Sequence, residues 1–199
     1  MKSRSTEPAE PGMDKREAIL STALRLFTDR GFQGTPTSLI SREAGVATGT
    51  LFFYFKTKEE LIDSLYRAVK SEAGTALRDG VDAEPSIEDR IRRVGSNALA
   101  WGIKNPAKIQ FMEQFAHSPF VSTTAHDEGM SHFHFLLDLM NDGIRQGVIR
   151  DYDPRLLLHV MAASLSGVIS LALKTGNGRE RKRILEQGLE YIWNGIRKN

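Results

Sequence analysis

Four consecutive residues, Ala47, Thr48, Gly49 and Thr50, carry the most usable chemistry in this chain. They are small or polar, and they stand where a short helix would begin. Small side chains let a helix end approach another molecule closely. Free N–H groups at that end attract phosphate, and hydroxyls bond phosphate or base edges. The other reactive side chains form no comparable set. Five histidines are present but no His-x-x-x-His pair; His132 and His134 are two apart and do not share a helix face. The absence of cysteine rules out a thiolate metal site and a thiol nucleophile. No Gly-x-Ser-x-Gly, Gly-x-x-x-x-Gly-Lys or His-Glu-x-x-His occurs, so neither an enzyme, a metal nor a cofactor is expected.

The elements around Ala47–Thr50 read as two short helices and a tight turn. Thr35 is a suitable N-cap and Pro36 suits the first helical position. Leu39, Ile40 and Ala44 give this helix an apolar face. Gly45 ends it, because glycine takes the left-handed conformation freely, and Val46 plugs the corner. A second helix begins near Ala47 or Thr48 and carries Leu51, Phe52 and Phe55. Thr57 and Glu60 form a capping box for the next. Helix, glycine turn, short helix is the helix-turn-helix arrangement, although an ordinary helical hairpin gives the same pattern. Ahead of it, Asp14 caps a helix with Glu17 as box partner. That helix carries Ile19, Leu20, Ala23, Leu24, Leu26 and Phe27 at helical spacing, and Gly31 ends it, with Phe32 folding back.

These words, in this order, resemble the DNA-binding domain of the TetR (tetracycline-repressor-like) family. They run from Ile19-Leu20 through Gly31-Phe32, Thr35-x-Thr37, Ala44-Gly45-Val46-x-x-Gly49-Thr50-Leu51-Phe52-x-Tyr54-Phe55 and Lys58-Glu59-Glu60-Leu61. The resemblance implies that Thr37 contacts phosphate and that Ser38 stands beside a base-reading position. It implies that Thr48, Gly49 and Thr50 form the exposed start of the recognition helix. Tyr54 matches a phosphate-contacting position, and Lys58 a lysine that holds the DNA backbone. Ile40, Ala44, Val46, Leu51 and Phe55 match packing positions. Ala47 departs from a frequent capping serine, which weakens the cap or passes it to Thr48. Ser41 replaces a usual alanine, a small change in a packed place. Phe52 and Phe53 stand where tyrosines are frequent; Phe53 can press on a thymine methyl.

The remaining chain reads as helices. Helix four carries Leu61 to Leu77. The next begins at Ser86; one follows from Asn105-Pro106. A longer helix runs from about Val121 through Ile144, a strongly apolar one from Asp153-Pro154 to Leu173, and a last one from Arg179 to Arg197. No sustained period-two alternation signals a strand. The expected fold is all-α with nine helices: a disordered arm at 1–13, a three-helix helix-turn-helix DNA-binding domain at 14–58, and a six-helix ligand-binding and dimerisation domain at 59–199. Nine cations face seven acids between residues 14 and 70, and sixteen face sixteen from 71 onward, so the positive excess sits with the proposed DNA-binding segment. No signal peptide and no stretch of about 20 uncharged apolar residues is read, so no membrane span is expected. The lack of cysteine suits a reducing cytoplasm.

The apolar run Leu156–Ile169 must be buried on most sides, as central core of a monomer or at an interface. The resemblance implies the interface: a homodimer through the last two helices, matched to a palindromic double-stranded DNA operator. It also implies a small-molecule effector, largely apolar, lined by Trp101, Phe111, Phe115, Phe133, His134, Leu137, Met161 and Leu165. From spacing alone the aromatic residues serve equally as core. The implied function is a dimeric ligand-responsive transcriptional repressor that leaves its operator when the effector binds. The alternative is an all-helical adaptor or enzyme whose helix-turn-helix is only structural.

Overall fold

The computed structural model describes residues 14–116 and 118–198; the arm expected at 1–13 and His117 lie outside the described residues. Among the described residues ten α-helices form: α1 Lys15–Arg30, α2 Thr37–Glu43, α3 Thr48–Tyr54, α4 Lys58–Arg78, α5 Ile87–Lys104, α6 Pro106–Phe115, α7 Thr123–Ser131, α8 His134–Arg145, α9 Pro154–Lys174 and α10 Gly178–Ile196. A 3-10 turn stands at Val81–Ala83. One isolated antiparallel bridge, Ile149 with Arg197, is the sole β pairing among the described residues. The all-α expectation holds. Seven helices, not six, follow the first three, because the single helix expected from Val121 to Ile144 is two. It breaks at His132-Phe133, where the Phe133 N–H reaches the Met130 carbonyl at 3.0 Å in a tightened turn. Gly74 of α4 makes room for the break: a Cβ there would lie 2.7 Å from the His132 Cβ and 3.0 Å from its carbonyl oxygen.

The chain divides into two compact units, residues up to Val69 with Gln110–Gly129, and Lys70–Ile109 with Met130 onward. In the first, Ile19, Ala23, Leu26 and Phe27 of α1 are buried with Ile40 of α2, Leu51 of α3, Phe55, and Leu61, Ile62 and Tyr66 of α4. Each apolar residue recurs on one helix face, which is why three short helices close around one core. The Phe27 ring lies 5.6 Å from Phe32 and 6.2 Å from Phe115, and Phe115 stacks on Phe111 at 4.8 Å. The Asp63 carboxylate accepts from the Ser122 N–H at 2.9 Å and its hydroxyl at 2.6 Å, and Gln114 donates to the Thr28 carbonyl at 3.2 Å.

The second unit packs α5, α8, α9 and α10 around Ile91, Val94, Leu139, Met140, Leu157, Met161, Ile192 and Trp193. Gly102 lets α5 meet α9 closely, since a Cβ there would stand 2.4 Å from the Ile169 Cδ1. Backbone bonds from Arg150 N–H to Ile196 at 2.8 Å and from Lys198 N–H to Val148 at 2.9 Å fasten the end of α10 to the turn after α8. Only one stripe of α9 is inside the chain: Leu157, Met161, Ile169 and Ala172. Leu156, Val160 and Leu171 are more than half exposed. Burial on most sides, expected from the sequence, is therefore not achieved within one chain; the neighbouring helices cover a single stripe. Pro154–Lys174 is long and apolar enough to cross a membrane by length and composition only, with 22% of its most apolar 18 residues buried.

Candidate nucleic-acid interface

The caps of the helix-turn-helix differ in part from the sequence reading. Asp14 caps α1, accepting from the Arg16 N–H at 3.3 Å. Thr35 does not cap α2; Pro36 stands at the cap position. The Thr35 hydroxyl turns inward instead and reaches the Leu26 and Gly31 carbonyls at 3.1 and 2.8 Å. Full burial makes those carbonyls the available partners, and an unpaired hydroxyl there would be costly. After α2 the chain reverses at Gly45, whose φ of 68° is the left-handed conformation that suits glycine. The Val46 N–H bonds the Ser41 carbonyl at 2.9 Å and closes the turn. Thr57 caps α4 through the Glu60 N–H at 3.0 Å, and the Glu60 carboxylate returns to the Lys56 N–H at 2.7 Å.

Helix α3 begins at Thr48, with Ala47 at its cap position and no side-chain cap bond. The Thr48 hydroxyl pairs with the buried Ser41 hydroxyl at 3.1 Å, and Ser41 donates to the Ser38 carbonyl at 3.2 Å. Ser41 therefore links α2 to the first residue of α3. Sequence reasoning took it for a minor packing change; its signal was a hydroxyl on an otherwise apolar face seven residues before Thr48. An ion pair between Arg25 and Glu43 joins α1 to α2. The hydrogen bond from Arg25 holds the Glu43 carboxyl below its usual value, against a smaller opposing effect of burial.

Ser38, Thr48 and Gly49 are exposed, and Thr37, Thr50 and Tyr54 are half-buried. Gly49 and Phe53 lie four residues apart on one face of α3, with Thr50 beside them. Phe53 is the most open of the large apolar residues here, at 72%. The packing positions are as expected: Ile40, Ala44, Leu51 and Phe55 are buried, and Val46 is half-buried. Lys58 is turned into the unit. Its ammonium donates to the Phe32 carbonyl and stands 4.1 Å from the Phe32 ring centroid and 6.0 Å from that of Phe27. Burial there pushes its amine below the usual lysine value. Lys56 is the exposed cation directly after α3, with its ammonium 5.8 Å from the Phe53 ring centroid. The sequence reading passed over Lys56; its place directly beyond the recognition helix was the available signal.

The model for bacterial regulatory proteins of the tetR family matches residues 19–65, and the model for tetracyclin-repressor-like C-terminal domains matches 62–198. This chain belongs to the TetR family. A TetR-family transcription regulator from Shewanella sp. PV-4 has a solved structure similar to it, with a TM-score of 0.83 at 29% identity, covering 94% of this chain and 100% of that one. The HTH-type transcriptional regulator YhgD of Bacillus subtilis is 25% identical over 154 residues, 75% of this chain and 79% of its own length. The HTH-type transcriptional repressor KstR2 of Mycobacterium tuberculosis is 24% identical over 189 residues, 92% of this chain and 94% of its own. The solved KstR2 structure, described as a ketosteroid transcriptional regulator, has a TM-score of 0.73 at 22% identity and covers 97% of this chain and 100% of that one. The protein is thus a ligand-responsive DNA-binding transcriptional regulator, and the adaptor or enzyme alternative is not favoured.

Of the eight residues expected to line an effector site in this TetR regulator, Phe111 and Phe115 belong to the first unit and Trp101, Phe133, His134, Leu137, Met161 and Leu165 to the second. Phe111 and Phe115 stack inside the first unit, beside Phe27. Trp101 is buried in the second unit, its Nε1 donating to Glu72 at 3.2 Å; Lys108 donates to the same carboxylate at 2.6 Å. Met161 belongs to the core cluster of the second unit, and the partly buried Leu165 packs against it. Phe133 carries the Lys70 ammonium 5.2 Å from its ring centroid, and His134 is exposed. Leu137 borders a shallow depression with Asn141, Tyr152 and Arg155. Phe111, Phe115, Trp101 and Met161 are buried.

Proposed function

We propose that this TetR regulator is a homodimeric repressor acting on a palindromic operator in the cytoplasm. In this reading α9 and α10 pair with their twins through Leu156, Val160, Leu171 and Tyr191. Two copies of α3 then enter successive major grooves of one duplex, about one turn apart. Thr37, Ser38, Thr48, Thr50 and Tyr54 supply contacts to phosphate and base edges. Gly49 permits close approach, and Lys56 contributes the exposed charge. Lys58 keeps two further N–H donors beside its bond to the Phe32 carbonyl and offers them to phosphate. A largely apolar small molecule held by the second unit favours a head spacing that no longer fits the operator. That release requires the effector to bind the two states with different affinity.

The observation that carries the DNA reading is the open face of α3, where Thr48, Gly49 and Phe53 stand exposed above a closed core. The apolar stripe of α9, exposed in one chain, supports the dimer, because a second copy with the same stripe would remove it from water. The test is selection of sheared genomic DNA from the host with the full-length protein, followed by sequencing of the retained fragments. Enrichment of a few sites sharing an inverted repeat is expected. Uniform retention with no shared site would overturn the specific-operator reading; shared sites without two-fold symmetry would overturn the dimeric one.

A further inference from the structure

Helix α3 ends in Phe52, Phe53 and Tyr54, and the three differ in what surrounds them. Phe52 is 39% exposed, whereas Phe53 is 72% exposed. The Phe53 ring meets Tyr54 edge-on at 5.3 Å, and Lys56 stands 5.8 Å from its centroid. The Lys56 ammonium also donates to the Phe53 carbonyl at 3.3 Å. The phenyl ring and the cation are thereby held as a pair at the end of the helix. Phe53 follows Gly49 by four residues and Thr50 by three, so it continues the face those residues begin. Gly49 has open space where a Cβ would stand.

A phenyl group neither donates nor accepts a conventional hydrogen bond, so it cannot read the polar code of a base pair. The apolar group that unmodified DNA presents in the major groove is the thymine C5 methyl. A lysine ammonium beside it suits a phosphate oxygen. We propose that Phe53 and Lys56 act together as a reader of a C5-methylated pyrimidine, thymine in unmodified DNA, with Lys56 on a flanking phosphate. This rests on the operator-binding reading of the same helix and adds a specificity-determining residue to it. Phe53 selects the base; Lys56 strengthens binding without selecting.

The test uses the full-length protein and the operator recovered by genomic selection. Each thymine is replaced in turn by deoxyuridine, which removes the methyl group alone. One symmetry-related thymine in each half-site is expected to be sensitive, with binding about three- to fivefold weaker per methyl lost. Phe53→Ala should bind the thymine and deoxyuridine duplexes alike, and Phe53→Leu should keep part of the difference. At the sensitive position a C·G pair carrying 5-methylcytosine should bind more tightly than one carrying cytosine. Lys56→Ala should weaken all duplexes evenly and lower the salt slope by about 1. The proposal is overturned if no thymine is sensitive while the operator is still bound, or if deoxyuridine weakens wild type and Phe53→Ala equally. Failure to retain any specific duplex would instead remove the operator reading on which it rests.

Discussion

The first and second units are both built from amphipathic helices, yet they dispose of their apolar residues differently. In the first, Ile19, Phe27, Ile40, Leu51 and Phe55 are all shielded by other parts of the same chain. In the second, α9 shields Leu157, Met161 and Ile169 but leaves Leu156, Val160 and Leu171 more than half exposed. The apolar faces of the first unit are covered by the same chain, whereas α9, the more apolar helix, keeps one stripe open that a second copy covers in the proposed dimer. A core closed within one chain makes stability independent of concentration. A stripe closed by a second copy makes part of the stability depend on protomer concentration. In the proposed dimer, the first set of residues holds the DNA-reading face in place and the second brings two such faces together.

The largest effect should come from breaking the open stripe. Leu156→Glu with Leu171→Glu removes two leucines from each copy's side of the proposed interface, a loss of about 3–6 kcal/mol per copy. Sedimentation should show monomers where the parent is dimeric, with helix content retained in circular dichroism. A persistent dimer would place the interface elsewhere and dissolve the contrast. In the closed core, Phe27→Ala should cost about 3–5 kcal/mol through its cavity and the loss of its rings' neighbours. The urea midpoint should fall by the same amount at low and high protein concentration; a shift that grows on dilution would show that the first unit also depends on a partner.

Smaller changes sharpen the picture of how α3 is held. Gly45→Ala meets open space, so its effect is the cost of a left-handed alanine, about 1–2 kcal/mol. Operator affinity should fall along with stability, because the turn sets the angle of α3. The smallest effect concerns the Arg25–Glu43 pair, worth about 0.2–1 kcal/mol at an exposed site. The folded-state carboxyl is held below its unfolded value, so the contribution is present above the usual glutamate range. It is lost as the pH falls from about 4.3 through the lowered folded value. Thermal melts across that window should show the loss in wild type and not in Arg25→Ala.

Much of the helix-turn-helix was legible because its signals are local. Gly45 ends α2 since few other residues accept a φ of 68°, and Thr57 caps α4 through a neighbour three residues away. Local signals also misled where burial overrode them. Thr35 has the composition of a cap, but the α1 turn draws its hydroxyl inward. The Lys58 ammonium donates to the carbonyl of Phe32, twenty-six positions earlier, a partner that no window around residue 58 contains. The α7–α8 break depends on Gly74 receiving the His132 backbone, a relation that no window around residue 132 contains.

The sequence alone determined what short range can specify: an all-α chain, the helix-turn-helix, its glycine turn and the apolar stripes that become cores. Those features follow from backbone preference and from periodicity within one helix. The tertiary structure decided which of two equivalent uses each stripe received. It put Phe111 and Phe115 into the core with Phe27, joined Ser41 to Thr48, and left one side of α9 uncovered. Periodicity states that a face is apolar; only the positions of other helices state what, if anything, lies against it.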